Sequence, residues 1–326
     1  MAATTLLNLL ADGEFCSGQR LADALGVSRT AVWKQVNKIA ADLGLDIETV
    51  RGRGYRIVGG IDLLNEAAVR AQLAAPARSL LSELVIHDAV DSTNSDALRR
   101  AGLGAVPGLV CTAEQQTAGR GRRGRHWVSP FASNIYLSVL WQYEQGAAAL
   151  EGLSLAVGVA VARALDALSV PDVRLKWPND VLHNGAKLGG ILLEMEGDAA
   201  GPCKVVVGIG LNVAMSRKLA SGIDQAWTDI ASIVGDAAPT RSHVLAALLN
   251  ELLPLLSAFE ERGFAGSRSH WQRLDAYGGQ TVVLDTGSRQ LAGISRGVDE
   301  RGALLLETTG GVQTIYGGEI SLRPGN

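Results

Sequence analysis

The pattern of apolar residues changes twice along the chain, and this order of patterns limits the folds open to it. Residues 1–60 show short helical stripes, residues 84–274 mix strand-like runs with long helical runs, and the residues after 275 alternate in short segments between glycines. A chain of 326 residues is long enough for two or three domains. The sequence therefore predicts a multidomain α+β protein with domains at 1–60, 61–274 and 275–326.

Residues 1–60 carry the pattern of a helix-turn-helix unit. Ser17 is placed to cap one helix, and Gly26 suits the left-handed turn that ends it. Ser28 is placed to cap a second helix over Arg29–Ala40. In this motif the second helix enters the major groove of DNA by its N-terminal residues.

A basic hairpin follows, in which Ile47–Val50 and Tyr55–Val58 alternate as two strands around Arg51–Gly54. Residues 1–60 hold seven basic and six acidic side chains, so their net charge does not by itself indicate DNA binding. The indication comes from the position of basic residues on the second helix and the hairpin, where DNA would lie. A dimer on two half-sites is expected, and a mere interaction module is the alternative. The expected DNA contacts are Ser28, Arg29, Thr30, Lys34, Arg51 and Arg53.

The central segment has a mixed α/β pattern, and the last segment has an all-β one. A small β-barrel is expected at the end of the chain because its short strands alternate with glycine-rich turns. The predicted central strands are Leu84–Val90, Leu109–Glu114, Asn134–Leu140, Val173–Lys176, Lys187–Glu194 and Val205–Val213, with helices over Leu150–Leu168 and Ser242–Phe259. The predicted barrel strands are Thr281–Leu284, Leu291–Val298, Ala303–Glu307, Val312–Tyr316 and Ile320–Leu322.

Composition excludes several classes of protein. The net charge is −3, which does not suggest a nucleic-acid coat or a membrane-surface protein. The three cysteines, Cys16, Cys111 and Cys203, lie far apart and predict neither a disulfide framework nor a zinc site. No signal sequence or uninterrupted apolar span is recognisable, so a soluble cytoplasmic protein without a membrane partner is expected.

The run Gly119–Arg125, the arginine loop, holds four arginines and three glycines. It matches the dinucleotide fingerprint GxGxxG, but Pro130 follows too soon for the helix that this motif must open. Arginine forks suit phosphate and carboxylate oxygens, and glycines let a backbone approach a ligand. The loop therefore predicts an anion site, with a solvated basic loop for nucleic acid as the alternative.

Other polar residues stand where predicted strands end. Ser92-Thr93-Asn94 can be a ligand site or an ordinary helix cap, and the amide of Gln116 suits a planar ureido ring. Asn179 and Asp180 follow a proline-fixed turn and are candidates to orient Mg²⁺. Lys187 opens an apolar strand, where it either reaches solvent or neutralises a carboxylate that attacks a phosphate.

These motifs occur together and in order, along with Trp127 and the run Gly208–Val213, and they resemble the biotin–protein ligases over essentially the whole chain. The helix-turn-helix unit in front resembles the bifunctional bacterial type, which is both ligase and biotin-operon repressor. The resemblance implies a class II synthetase-like catalytic domain and a C-terminal SH3-like barrel. It also implies that biotin's carboxylate attacks the α-phosphate of ATP, and that a lysine of the biotin carboxyl carrier protein of acetyl-CoA carboxylase then takes the acyl group.

The resemblance assigns roles to individual residues. Lys187, Arg122 and Asp180 would be catalytic, Asn179 and Asp180 would serve Mg²⁺, and Trp177 is expected in the core. Biotin would be bound by Ser92, Thr93, Asn94, Gln116, Gly119, Arg120, Gly121, Arg122 and Lys187. ATP and the adenylate would be bound by Arg122, Arg125, Trp127, Asn179 and Asn212, with Trp127 stacked on adenine.

The resemblance further implies a switch, in which biotinyl-5′-AMP orders the arginine loop and favours a sheet-edge homodimer that binds operator DNA of biotin genes. Carrier protein would compete for the same face. Residues 215–230 align with no motif of the family. Two other classes stay open: a transcription factor that senses biotin without catalysis, and a lipoate–protein ligase.

Overall fold

The N-terminal domain, called the head, is a three-helix unit with a hairpin in this computed structural model, which describes residues 2–146, 150–197, 201–285, 290–316 and 321–324. The side chains of Ser17 and Ser28 cap α2 and α3, and Gly26 ends α2 with φ of 65°. The predicted helix-turn-helix and the basic hairpin are therefore present, and the hairpin is called the wing, so that the head is a winged helix-turn-helix. Its elements are α1 (Ala2–Leu10), α2 (Gly18–Leu25), α3 (Arg29–Leu43), β1 (Ile47–Val50) and β2 (Gly54–Ile57).

The core of the head extends into the central domain through one aromatic side chain. Phe131, only 4% exposed, belongs to the same buried cluster as Leu6, Val32 and Ile57 of the head. A second contact lies nearby, where the Thr4 hydroxyl donates to the Asp88 carboxylate over 2.7 Å. The head is thus packed against the central domain and not only tethered to it.

The central domain is built on a seven-stranded mixed sheet of order β3-β4-β5-β9-β8-β7-β6, in which only β3 and β4 are parallel. The six predicted strands are confirmed, five of them with shifted ends, and Asp180–His183 is an additional strand that the sequence pattern did not reveal. The strands are β3 (Glu83–His87), β4 (Leu109–Ala113), β5 (Asn134–Tyr143), β6 (Val173–Lys176), β7 (Asp180–His183), β8 (Ala186–Gly197) and β9 (Cys203–Asn212).

Two long helices supply much of the core against this sheet. Both were predicted, and they are α7 (Leu153–Ala167) and α9 (Arg241–Arg262). By length and composition α9 could cross a membrane, but it packs against α7 and contributes seven leucine and valine side chains to the buried core. The remaining helices are α4 (Glu66–Ala71), α5 (Ala75–Leu80), α6 (Thr93–Gly102), α8 (Ile230–Val234) and α10 (Ala265–Leu274).

A buried ion pair joins distant parts of the central domain. The Arg241 guanidinium bonds the Glu114 carboxylate, and it also donates to the carbonyls of Asn134 (2.7 and 3.0 Å) and Asp62 (2.7 Å). Glu114 also accepts from the Leu64 amide over 2.6 Å. The predicted strand over 109–114 ends one residue early, at Ala113, directly before the residue whose side chain forms this pair.

The C-terminal domain is an antiparallel sheet of order β13-β12-β11-β10-β14. Its strands are β10 (Thr281–Asp285), β11 (Gln290–Val298), β12 (Leu304–Thr308), β13 (Gly311–Ile315) and β14 (Ser321–Pro324). All five strands predicted for the barrel are represented, although Ile320 of the last one lies outside the described residues. Trp177, 1% exposed, donates its indole N–H to the Gly302 carbonyl over 3.0 Å, which confirms its predicted place in the core.

Candidate active site

A cavity of about 850 Å³ opens over strands β8 and β9, and it is called the ligand cavity below. It collects nearly all of the ligase-site residues predicted from the sequence, although they are scattered over 121 positions from 92 to 212. Gly119 is the exception, since it is buried and does not line the cavity. The predicted residues that line the cavity are Ser92, Thr93, Asn94, Gln116, Arg120, Gly121, Arg122, Arg125, Trp127, Asn179, Asp180, Lys187 and Asn212.

One end of the ligand cavity is a pocket of buried, uncharged polar groups at the start of α6. The Gln116 carbonyl oxygen accepts from the Thr93 amide over 2.9 Å, and its amide nitrogen donates to the Ser129 hydroxyl over 3.1 Å. The Ser92 side chain makes no capping bond to α6, so the alternative of an ordinary helix cap is not supported for this residue. Ser92, although only 4% exposed, lines the cavity.

Asn94 is fixed in this pocket by two residues that the sequence did not single out as ligand contacts. Its carbonyl oxygen lies 2.6 Å from the Ser138 hydroxyl, and its amide nitrogen donates to the Glu194 carboxylate over 2.7 Å. Gly208 lies directly below, where a Cβ would approach the Asn94 oxygen to 2.3 Å. A glycine is therefore required in β9 for Asn94 to take this position.

The arginine loop is a short hairpin over the ligand cavity. Gly119 accepts from the Trp127 amide (2.9 Å) and Gly121 donates to the Arg125 carbonyl (2.8 Å), so the chain reverses direction at Arg123, whose φ is 59°. A Cβ on Gly119 would lie 2.6 Å from the Ser129 hydroxyl. No long helix follows the loop, in agreement with the rejection of the dinucleotide fingerprint.

The arginines of this loop point to different partners. Arg120 donates to the Ser95 hydroxyl over 2.9 Å and pairs with Glu194 at 3.3 Å. Arg122 donates to the Asn179 side-chain oxygen over 3.3 Å. Burial, together with the charges of Arg123 and Arg125, lowers the pKa of the Arg122 guanidinium. An anion placed beside Arg122 would offset this repulsion, as expected for a phosphate site.

Across the cavity, two lysines share one carboxylate. The Lys187 ammonium lies 2.7 Å from one Asp180 oxygen, and the Lys176 ammonium lies 3.7 Å from the other. The three side chains are between 15% and 21% exposed, so they are largely but not wholly withdrawn from water. Lys187 thus does not extend into solvent; it is oriented by Asp180 at the cavity wall.

Trp127 lies on the floor formed by two glycines. A Cβ on Gly210 would approach its indole ring to 2.4 Å, and one on Gly190 would approach it to 3.5 Å. The Lys187 ammonium is 5.5 Å from the centre of the ring. Within the described residues the buried indole N–H has no hydrogen-bond partner. The ring therefore offers both an aromatic face and a donor to a ligand.

A segment that no sequence motif indicated completes the cavity. Residues from Gly222 to Trp227 form part of its lining. The segment is anchored by main-chain bonds, from the Lys187 amide to the Ala226 carbonyl (2.9 Å) and from the Thr228 amide to the Lys187 carbonyl (3.0 Å). The Asn212 side chain donates to the Thr228 carbonyl over 3.0 Å, so this predicted nucleotide residue also has a structural role.

The predicted magnesium ligands are engaged with other groups. Asn179 donates its amide to the Ile191 carbonyl over 2.9 Å, and its oxygen faces Arg122. Asp180 is flanked by the two lysines. No cluster of three potential metal-binding side chains occurs in the described parts of the chain. One neutralised carboxylate fits poorly to a protein-held Mg²⁺, which prefers free oxygen ligands.

All six predicted DNA contacts are exposed. Four of them line one cleft of the head, namely Arg29, Thr30, Arg51 and Arg53. The Ser28 hydroxyl oxygen accepts a hydrogen bond from the Ala31 amide as the cap of α3, so one of its acceptor positions is already occupied. In the wing, the Arg53 guanidinium lies 3.9 Å from the centre of the Phe15 ring. This cation–π contact stabilises the position of Arg53, which lines the same cleft as Arg29.

The fold and the cavity define the class: a ligase of the biotin/lipoate type that carries a DNA-binding domain. Family models describe residues 89–212 as the biotin/lipoate A/B protein ligase family, residues 3–56 as a helix-turn-helix domain and residues 277–323 as the biotin protein ligase C-terminal domain. The cavity holds no recognisable Ser/His/Asp or Cys/His constellation among its described residues, which is consistent with chemistry by positioning and charge.

Two full-length relatives make the assignment more specific. The bifunctional ligase/repressor BirA of Escherichia coli is 43% identical over 98% of this chain and 96% of its own length, and that of Bacillus subtilis is 32% identical over 96% and 95%. A solved biotin protein ligase from Aquifex aeolicus, in complex with biotin and ATP, has a TM-score of 0.64 at 30% identity and covers 75% of this chain and 100% of that one. The chain belongs to the family of bifunctional biotin ligase/repressors.

Proposed function

We propose that the ligand cavity makes biotinyl-5′-AMP and transfers its biotinyl group to a lysine of the biotin carboxyl carrier protein. In the first step a biotin carboxylate oxygen bonds to the α-phosphorus of ATP and diphosphate leaves. In the second step the carrier's amine bonds to the acyl carbon, loses a proton, and AMP leaves. The observation that carries the proposal is the division of one cavity into a neutral polar pocket and a cationic half.

The neutral pocket suits the bicyclic end of biotin. A ureido ring presents one carbonyl acceptor and two N–H donors, which need hydroxyl and amide partners in a dry site. Ser92, Thr93, Asn94 and Gln116 supply both kinds. Hydrogen bonds with Gln116 and Ser138 fix the places of Thr93 and Asn94. Apolar cavity residues complete the pocket for the thioether ring and the chain, namely Leu137, Leu192 and Ile209.

The cationic half suits the nucleotide. Arg122 and Arg125 would hold phosphate oxygens, and the N–H of Trp127 is available to a ligand whose adenine stacks on the ring. Gly222–Trp227 would cover the adenine from the other side. Mg²⁺ would arrive as the ATP complex and be held by phosphate oxygens, because Asp180 is already paired with lysines.

Lys187 would neutralise the charge that builds up where the carboxylate meets the α-phosphate. Two anions repel each other at this point, and a fixed cation stabilises the transition state without having to reorganise. Asp180 would act as a positioning residue, since its 2.7 Å contact aims the ammonium. The folded arginine loop would keep water from the reactive mixed anhydride.

We also propose the repressor cycle implied by the family. Strand β7 covers β8 only up to Gly190, so beyond Ile191 one edge of β8 has no neighbouring strand within the described chain. This edge, which continues to Gly197, is available to a second copy when the adenylate is bound. Such a homodimer would present two heads to operator DNA of biotin genes in the cytoplasm. The domains of each copy would be bounded at 1–60, 61–274 and 275–326.

ATP–diphosphate exchange tests the enzymatic proposal directly. We expect exchange supported by biotin but not by lipoate, and labelling of a carrier-domain lysine when biotin and ATP are both present. Exchange with lipoate instead would assign the protein to the lipoate ligases. Absence of exchange with either acid, in protein that binds biotin by calorimetry, would leave only a ligand sensor and overturn the proposal.

A gel-shift assay tests the repressor proposal. DNA from upstream of the organism's biotin genes should be retarded at lower protein concentration when biotin and ATP are added together than with either alone. Sedimentation under the same conditions should show dimer formation. Equal retardation under all conditions would refute the co-repressor role of the adenylate.

A further inference from the structure

A cleft of about 670 Å³ separates α3 from the wing of the head. It is lined by the start of α2, the outer face of α3 and the hairpin tip, and the described residues that line it include three arginines and no acid. The arginines, Arg29, Arg51 and Arg53, are all exposed. A winged helix places its second helix in the major groove, so a DNA strand passes between helix and wing. The charge of this cleft is complementary to such a strand.

Trp33 forms part of the wall of this cleft and is 53% exposed. It lies four residues after Arg29 and three after Thr30 on α3, and positions with this spacing share one face of a helix. The opposite face, with Val32 and Val36, is buried in the core of the head. The largest apolar side chain of α3 therefore faces the same space as the DNA-contacting arginine.

We propose that Trp33 reads a base of the operator by packing against a thymine methyl group in the major groove. An indole has one N–H donor and no acceptor, so its principal contact is apolar. The thymine methyl is the apolar group that the major-groove edges of the bases present. Arg51 and Arg53 of the wing, across the cleft, would hold phosphate, which positions the helix but carries no sequence information.

Selection of binding sites from randomised duplexes tests this role, using the full-length protein with biotin and ATP. The parent protein should select a thymine at one position of each half-site that Trp33→Ala no longer selects. Trp33→Gln should prefer adenine there, since glutamine pairs with the adenine N6 and N7 edge. Arg51→Ala is the matched control: it should weaken binding to all sequences and leave the selected bases unchanged. Identical base preferences in the parent and Trp33→Ala would overturn the proposal.

A second measurement isolates the methyl group. Replacing the selected thymine with deoxyuridine removes only that methyl, and it should weaken binding of the parent protein about four-fold, the effect of one buried methylene-sized group. Trp33→Ala should bind both duplexes equally. A parent protein that does not distinguish thymine from uracil would exclude the methyl contact. Biotin transfer by Trp33→Ala should equal that of the parent, because Trp33 lies outside the ligand cavity.

The proposal depends on operator binding by the head, and the two can fail separately. If the parent protein selects no sequence at all, operator recognition itself is refuted along with the role of Trp33. If the parent selects a sequence that Trp33→Ala also selects, recognition stands and only the role of Trp33 is refuted.

Discussion

Gly208→Ala is expected to disable the biotin pocket by displacing Asn94. The new Cβ would lie 2.3 Å from the Asn94 carbonyl oxygen and 2.9 Å from its amide nitrogen. Since ordinary contact begins near 3.4 Å, the side chain must move by about 1 Å. That shift breaks the 2.6 Å contact with Ser138 and the 2.7 Å bond to Glu194.

The cost follows from the bonds that are lost. A neutral hydrogen bond contributes about 0.5–1.5 kcal/mol and one to a charged group about 1.5–3 kcal/mol, so the free energy of unfolding should fall by about 2–4 kcal/mol. If Asn94 also gives biotin one hydrogen bond, of about 1.4 kcal/mol, the affinity should fall by about ten-fold or more. ATP binding should change less, because the nucleotide end of the cavity lies away from Asn94.

Calorimetric titration measures the affinities for biotin and for ATP, and unfolding in urea measures the free energy of unfolding. Gly266→Ala is the matched control, because its Cβ would have no atom within 4 Å and Gly266 lies in α10. We expect the control to bind biotin as the parent protein does. A Gly208→Ala protein with unchanged biotin affinity would refute the assignment of Asn94 to the biotin pocket.

Three further changes test other parts of the structure. Arg241→Ala removes one partner of a buried ion pair, so it should lower the free energy of unfolding, measured in urea, by about 3–5 kcal/mol. Arg262 is exposed, and Arg262→Ala should change the same quantity by less than about 0.5 kcal/mol. Equal effects of the two changes would contradict the role of the pair. Lys187→Met should slow single-turnover adenylate formation by about 10²–10³-fold, and an unchanged rate would exclude charge neutralisation by this residue. Burial raises the pKa of the Cys111 thiol above its ordinary value of 9.0, so the free energy of unfolding should fall as the pH rises above 9.0, where the thiol of the unfolded chain ionises. Cys111→Ala should flatten this dependence, and an unaltered pH profile would count against it.

Local signals in the sequence were sufficient for much of the fold. The caps of α2 and α3 depend on Ser17, Ser28 and the turn at Gly26, all of which are adjacent to the helices they limit. The arginine loop was also readable, because glycine spacing and arginine density are properties of seven consecutive residues. Strand Asp180–His183 was missed because it has polar residues at both ends and only two apolar residues between them, so no alternation is visible.

Local sequence patterns could not predict contacts between residues that lie far apart in the sequence. Ser138 lies in an apolar strand, and it becomes part of the site only because β5 and α6 are neighbours in space. Glu114 and Arg241 are 127 positions apart, and no local rule pairs them. Gly222–Trp227 lines the ligand cavity through a loop that main-chain bonds to Lys187 hold in place, so it has no side-chain signature to read.

Phe131 physically joins the catalytic domain to the head. It follows Trp127 by four residues, so one short stretch of backbone begins at the floor of the ligand cavity and ends inside the core of the head. Cutting the chain at residue 60 would expose the Phe131 ring to water and would leave the apolar surface that it covers exposed on the isolated head. Leu219, in the segment that leads to Gly222, reaches the same domain from the other side, within 3.5 Å of a Cβ placed on Gly44. An engineer who grafts this catalytic domain onto another DNA-binding module must therefore rebuild both contacts, or accept a cavity wall with loosened supports.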